Sequence, residues 1–263
     1  MALNVIMMGP PGAGKGTQAG RFARERALLK ISTGDILREA IKEKNPVALE
    51  AQAKMDRGEL VDDDTMIAIV AERLTRPDAA RGFVLDGFPR TVAQAQALDE
   101  IMERRGSGPL VIVDVMVPEQ ELIRRLAGRR ICASCGTNAD PSGTTCGKCG
   151  GQLVQRSDDG QDVVGERLRV YQNATKPVLE YYRERPTFRV VNGAQPPQRV
   201  ARELDAMIDD ASAAGRLDSA DRAHMAQGSI RQDPPREAGH VDTVTSEAEP
   251  QWRHARRSEA KPR

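Results

Sequence analysis

The chain has 263 residues and is 39% hydrophobic, enough for one large α/β domain or a domain with a smaller insert. Its 39 basic residues face 38 acidic ones, so the whole chain has no electrostatic reason to seek nucleic acid or an anionic membrane, and any basic site must be local. No apolar run reaches transmembrane length, and MALNVIMMGP lacks a basic leader and a small-residue cleavage site, which leads us to expect a cytoplasmic protein without a membrane partner.

In chain order, Leu3 to Met8 is a short apolar run stopped by GPPGAG, as expected of a buried parallel strand ending in a turn. A helix follows from Lys15, and Ser32 or Thr33 caps a periodic segment over Ile36 to Lys44. Pro46 opens another helix, and Asp62 to Asp64 form a cap cluster for Thr65 to Leu74. Gly82 to Leu85 is a second buried strand, Thr91 to Arg105 a helix, Leu110 to Val117 a third strand, and Glu119 to Leu126 a helix. Gly165 to Arg185 is a long helix containing Pro177, Phe188 to Val191 a last strand, and Pro197 to Ala211 a last helix. Strands alternating with helices across short turns imply a parallel sheet with helices on both faces and ligands at the carboxyl ends of its strands.

Two segments break this pattern. Arg130 to Asp159 has glycine, small polar residues and every cysteine in the chain, but almost no apolar periodicity. From about Gly215 onward, scattered charge and repeated prolines predict a disordered tail over 215–263. All three histidines (His224, His240 and His254) lie in the last forty residues, so chemistry upstream proceeds without a histidine base.

GPPGAGKGT, Gly9 to Thr17, sits between a strand and a helix, the context that makes it a phosphate-binding loop. Gly9, Gly12 and Gly14 let backbone N–H groups and the helix N-terminus face a polyphosphate, and Lys15 supplies a point charge. Gly16 stands where GTPases and motor ATPases carry Ser or Thr, so the magnesium-binding hydroxyl moves to Thr17. Cys132 and Cys135, then Cys146 and Cys149, form two CxxC pairs ten residues apart. Four thiolates on such knuckles close a tetrahedral zinc shell, which makes the zinc structural. Lacking a core, this segment draws most of its folding free energy from the metal, on the order of ten kcal/mol.

GPPGAGKGT, STGDILR (Ser32 to Arg38), GELV (Gly58 to Val61), LDGFPRTVAQAQ (Leu85 to Gln96), GRR (Gly128 to Arg130), QRSDD and GERL (Gly165 to Leu168) together resemble the adenylate kinases in their long-lid form, over about residues 1 to 212. The resemblance implies a five-stranded parallel sheet of the P-loop NTPase kind. It divides the chain into a core of 1–128 and 160–214 carrying a monophosphate-binding insert near 32–61, and a zinc-binding lid over 129–159. It further implies that Gly12, Ala13, Gly14, Lys15, Gly16 and Thr17 hold the ATP phosphates, with Arg125 and Arg129 meeting ATP from the base of the lid and Gln195 contacting it largely through backbone. AMP falls to Thr33, Arg38, the backbone of Glu59, Leu60 and Val61, then Gly87, Phe88, Pro89, Arg90 and Gln94. Arg156 and Arg167 would clamp the transferring phosphates, Asp86 would order magnesium, and Asp158 and Asp159 match an acidic pair near the transfer site. Thr33 and Gln94 favour adenine, since related uridylate and cytidylate kinases commonly carry alanine and asparagine there. A monomer using ATP, AMP and ADP is implied.

Two rivals are another nucleoside monophosphate kinase and a nucleic-acid-binding ATPase with a zinc ribbon. The ribbon reading calls for bases interleaved with aromatics, whereas Cys132 to Cys149 holds one base, Lys148, and no aromatic.

Overall fold

The computed structural model describes residues 2–43, 46–139 and 143–228; lid residues 140–142 and residues 229–263 of the expected tail lie outside them. At its centre is a five-stranded parallel sheet built from β1 (Leu3–Met8), β2 (Leu29–Ser32), β3 (Gly82–Asp86), β4 (Leu110–Met116) and the last strand of the chain, Phe188–Asn192, in the order β2, β3, β1, β4, last strand. Two short strands, β5 (Arg130–Cys132) and β6 (Leu153–Gln155), pair antiparallel outside it, so the last strand is β7. The apolar runs in β1, β3 and β4 are buried on both faces because helices cover both.

On one face α2 (Thr33–Lys42), α4 (Asp63–Thr75), α5 (Val92–Arg105) and α8 (Lys176–Tyr182) pack on Ile6, Leu85 and Ile112. On the other, α1 (Lys15–Glu25), α6 (Glu119–Ala127), α7 (Gln161–Val170) and α9 (Pro197–Gly228) pack on Val5, Val84 and Val113. The remaining helix, α3 (Pro46–Asp56), adds Ala51 to the first of these two clusters.

Three points differ from the expectations drawn from sequence, and the choice of cap for α2 is settled between the two residues expected. Leu29–Ser32 is a strand that apolar content alone did not reveal; its LKIS sequence holds only two apolar residues, and pairing with β3, Ser32 opposite Asp86, makes it the sheet edge. Ser32 caps α2, its side chain accepting from the Asp35 N–H at 3.3 Å. The expected helix over Gly165 to Arg185 is interrupted by a π turn at Tyr171–Thr175 just before Pro177. The wider turn accommodates a proline that would otherwise lose a bond and clash. Finally, α9 does not stop at Ala211 but continues to Gly228. Residues 215–228 are therefore helical, not disordered: Gly215 seats against Thr187 and Pro109, and the sequence reaches no proline before Pro234. The compact unit that ends at His224 holds the sheet, the cleft and the cysteine hairpin; beyond it only residues 225–228 of α9 are described. Among the described residues, no helix is long and apolar enough to cross a membrane.

Candidate functional site

A cleft of about 810 Å³ opens over the carboxyl ends of β1, β2 and β3. Every nucleotide-site residue named from the sequence lines it, including Glu59, Leu60 and Val61 from the turn after α3, Phe88 and Pro89 before α5, and Gln195 after β7. The loop between β1 and α1 forms its floor. Gly14 caps α1 at φ 90° with open space where a Cβ would stand, so backbone conformation selects the glycine. Gly9 has a different reason: a Cβ there would sit 2.5 Å from the Val115 carbonyl oxygen.

Lys15 curls back to donate to the carbonyls of Gly9 and Pro10, both at 2.7 Å. Burial lowers its pKa to about 8; Asp86 opposes the fall, while Arg90, Arg167 and Arg129 add to it. Asp86, at the end of β3, lies against the loop, with Oδ2 3.0 Å from the position a Cβ on Gly16 would occupy. Its carboxylate and the Thr17 hydroxyl, both on this cleft, are oxygen donors of the kind magnesium takes.

On the α2 side, the Thr33 hydroxyl donates to the Gly87 carbonyl at 2.9 Å and Arg38 pairs with Asp35 at 2.5 Å. Arg90 donates through Nε to the Gly87 carbonyl at 2.9 Å, and the Thr175 hydroxyl holds the Arg90 carbonyl at 3.0 Å. Gln94, in the first turn of α5, is 2% exposed.

At the lid base, Arg129 and Arg167 both meet the fully buried carboxylate of Asp159. The Arg129 Nε lies 2.6 Å from Oδ2 and the Arg167 guanidinium 2.9 Å from Oδ1. Arg167 also pairs with Asp158 at 3.0 Å. Arg156 reaches Asn138 at 3.2 Å, while its buried Nε has no partner among the described residues. Burial lowers Arg156 to about 10, and Arg129 and Arg38 push it the same way. Burial also leads the downward shifts of Arg90 and Arg167. Arg125 pairs with Glu121 at 2.7 Å. Gln195 donates to Glu203 at 2.7 Å.

The cleft thus gathers buried cations that depress one another's pKa values, and a polyanion is the ligand that relieves them. The four cysteines converge as the spacing implies: all four sulfurs lie within 4.8 Å of one another, with Cys132 to Cys149 at 3.5 Å and Cys135 to Cys146 at 3.6 Å. Four bonds of about 2.3 Å to one tetrahedral ion place sulfurs about 3.8 Å apart. The Gly151 N–H acts to lower the Cys149 pKa, yet the other three sulfurs drive it up to about 12. Four thiolates this close need a shared cation, so the donor set fits a metal ion.

The family model for adenylate kinase matches residues 7–187. The chain belongs to the adenylate kinase family. It is 44% identical over 213 residues to an adenylate kinase of Archaeoglobus fulgidus, covering 79% of this chain and 98% of the relative. It is 45% identical over 212 residues to an adenylate kinase of Bacillus subtilis, covering 78% and 98%, and 47% identical over 197 residues to one from Syntrophobacter fumaroxidans, covering 73% and 92%.

Several residues that brace the cleft escaped sequence reasoning. Asp63 bonds across to Gln94 and Thr91, whereas the sequence placed it only in a cap cluster; Asp62 makes the cap, accepting from the Thr65 N–H at 3.0 Å. Asn138 meets Arg156, and the Ser157 hydroxyl donates to Asp56 at 2.9 Å, joining the segment after β6 to the end of α3. Ser157 lies in QRSDD and Asp63 in the cap cluster, but neither pattern states these contacts; only the fold brings the partners together.

Proposed function

We infer that the protein is an adenylate kinase that interconverts MgATP and AMP with two molecules of ADP by direct in-line phosphoryl transfer, without a covalent enzyme intermediate. The observation that carries this reading is the convergence of Lys15, Arg38, Arg90, Arg129, Arg156 and Arg167 on one cleft over the strand ends. Phosphoryl transfer needs positioning and charge more than covalent help. Arginine forks suit phosphate oxygens.

In this reading the Gly12 to Thr17 loop cradles the ATP phosphates, and Lys15 leaves its carbonyl partners to reach the transferred group. Arg125 and Arg129 meet ATP, and Gln195 contacts it from the loop after β7. Thr33, Arg38, the Glu59 to Val61 backbone, Gly87 to Arg90 and Gln94 hold AMP with its phosphate in line. Arg90, Arg156 and Arg167 surround the moving phosphoryl, while Asp158 and Asp159 keep the lid arginines oriented. Thr17 and Asp86 would hold magnesium, which neutralises phosphate charge when bound. Zinc on Cys132, Cys135, Cys146 and Cys149 would be structural, because four protein ligands fill its shell. A closed lid excludes the water that would otherwise hydrolyse ATP. A cytoplasmic monomer that binds neither nucleic acid nor membrane completes the proposal. It is supported by the near-balanced charge and by a cysteine hairpin without aromatic residues.

The test is a coupled assay with MgATP and each of AMP, UMP, CMP and GMP, with zinc determined on the same sample. ADP formation with AMP far above the others, at about one zinc per chain, is the expected result. Zinc without transfer to any acceptor would reject the kinase reading and bring forward the ribbon-bearing ATPase.

A further inference from the structure

Gln94 is held at both ends of its carboxamide. Its Nε2 donates to Asp63 Oδ1 at 2.7 Å, and its Oε1 accepts from the Arg90 backbone N–H, also at 2.7 Å. A carboxylate only accepts and a backbone N–H only donates, so these contacts determine which end of the amide is nitrogen and which is oxygen. Asp63 is itself anchored: Oδ2 accepts from the Thr91 hydroxyl at 2.8 Å, and the same Thr91 oxygen caps α5 by accepting from the Gln94 N–H at 3.2 Å. The carboxylate at the start of α4 and the amide at the start of α5 therefore form a closed hydrogen-bonded circuit.

After those two contacts, the amide retains one N–H and one carbonyl lone pair for a ligand. The Watson–Crick edge of adenine offers an acceptor at N1 and a donor at its 6-amino group, which complements that pair. Hypoxanthine and guanine present the reverse, a donor at N1 and an acceptor at O6. A freely rotating amide would turn over and read either edge; a fixed one accepts only the first and leaves polar groups unpaired against the second.

We propose that Asp63 is the positioning residue that makes the acceptor site selective for AMP over 6-oxopurine monophosphates, by fixing the orientation of the Gln94 carboxamide. The proposal rests on the reading of this cleft as an AMP site. It gives Asp63 a role distinct from helix capping, which Asp62 fulfils.

The test compares AMP and IMP as acceptors with MgATP for wild type, Asp63→Asn and Asp63→Ala, with thermal melts of each. Asparagine keeps the shape but both donates and accepts, so it can pair with either end of the amide and leaves the Arg90 N–H as the one contact that still favours the native orientation. The ratio of kcat/KM for AMP to that for IMP should fall about tenfold, equivalent to about 1.4 kcal/mol. The change should reside in the KM values for the acceptors, while KM for MgATP stays within about twofold, because only acceptor binding is altered. An unchanged ratio in folded Asp63→Asn overturns the proposal, as does an equal loss of kcat with both acceptors. Should Asp63→Asn fail to fold, Asp63→Ala is judged by the same ratio. A wild-type enzyme that does not use AMP would overturn the AMP-site reading itself, a result visible without either variant.

Discussion

Lys15 and Asp114 show how burial tunes single groups in opposite directions. Lys15, at about 8, is mostly charged at neutral pH, and its proton is what a polyphosphate needs. Loss of that proton weakens capture of MgATP by the free enzyme. The expected profile is a decline in kcat/KM for MgATP above pH 8, with kcat less affected because bound phosphate holds the proton on. A profile flat up to the ordinary lysine range near 10.4 would contradict the depressed value. Asp114 lies inside β4, 6% exposed, with Oδ1 lacking a partner among the described residues. Burial raises its pKa to about 6, with Lys15 opposing. That folded value exceeds the unfolded one near 3.9, so the native state holds the proton more tightly. Its contribution to stability is full below the unfolded value and is lost as pH rises through 6. Asp114→Asn should thus match wild type near pH 4 and exceed it at pH 8 by on the order of 1–3 kcal/mol. Denaturant titrations at the two pH values check this, and a constant difference between them would place the effect elsewhere.

At the scale of elements, the cysteine hairpin has the weakest internal support. Its buried cluster consists of Cys132, Cys146 and Leu153, with Ala139 packed alongside. Strands β5 and β6 add three residues each. Backbone bonds turn both knuckles, from Gly136 N–H to the Cys132 carbonyl at 2.9 Å and from Gly150 N–H to the Cys146 carbonyl at 2.8 Å, but such bonds do not replace a core. Cys132→Ser, or stripping the metal with a chelator, should lower the first thermal transition by about 5–10 °C, with a smaller effect on turnover at low temperature. Identical melts with and without chelator, on protein shown to have bound zinc, would reject a structural role. The cysteine cluster was legible from the sequence because the CxxC spacing brings the four side chains together directly. Strand β2 was not, since Leu29–Ser32 takes its identity from pairing with β3 and not from its own pattern. The π turn at Tyr171–Thr175 was equally hidden, because Pro177 signals a break without saying how the chain will absorb it.

At the scale of the whole molecule, the cleft arginines Arg38, Arg90, Arg129, Arg156 and Arg167 were legible because each sits in a short motif, whereas the contacts that orient them come from other segments. Asp159 joins Arg129 to Arg167 and Asp63 joins α4 to α5, pairings that only the folded sheet creates. The C-terminal boundary was the least legible feature, because helix propensity and burial end at different residues. Along α9, Ala211, Ser212 and Gly215 are buried, whereas Leu217 is 69% exposed. Gly215 meets Thr187 just before β7 and Pro109 just before β4, and among the residues whose burial is described it is the last buried one, about three and a half turns before the described helix ends. Helix beyond the last packed turn adds little stability, because tertiary burial and not propensity supplies most of it. A chain ending after Gly228 should therefore melt with the full-length protein and keep its kinase activity. A chain ending after Ile208 should lose about 5 °C or more, since about 1 kcal/mol corresponds to 2–4 °C at this size. Differential scanning calorimetry on the two truncations separates the cases. Equal melting of all three chains would mean that the turn through Gly215 does not brace β7, and a loss confined to the Gly228 truncation would move the structural boundary into residues 229–263.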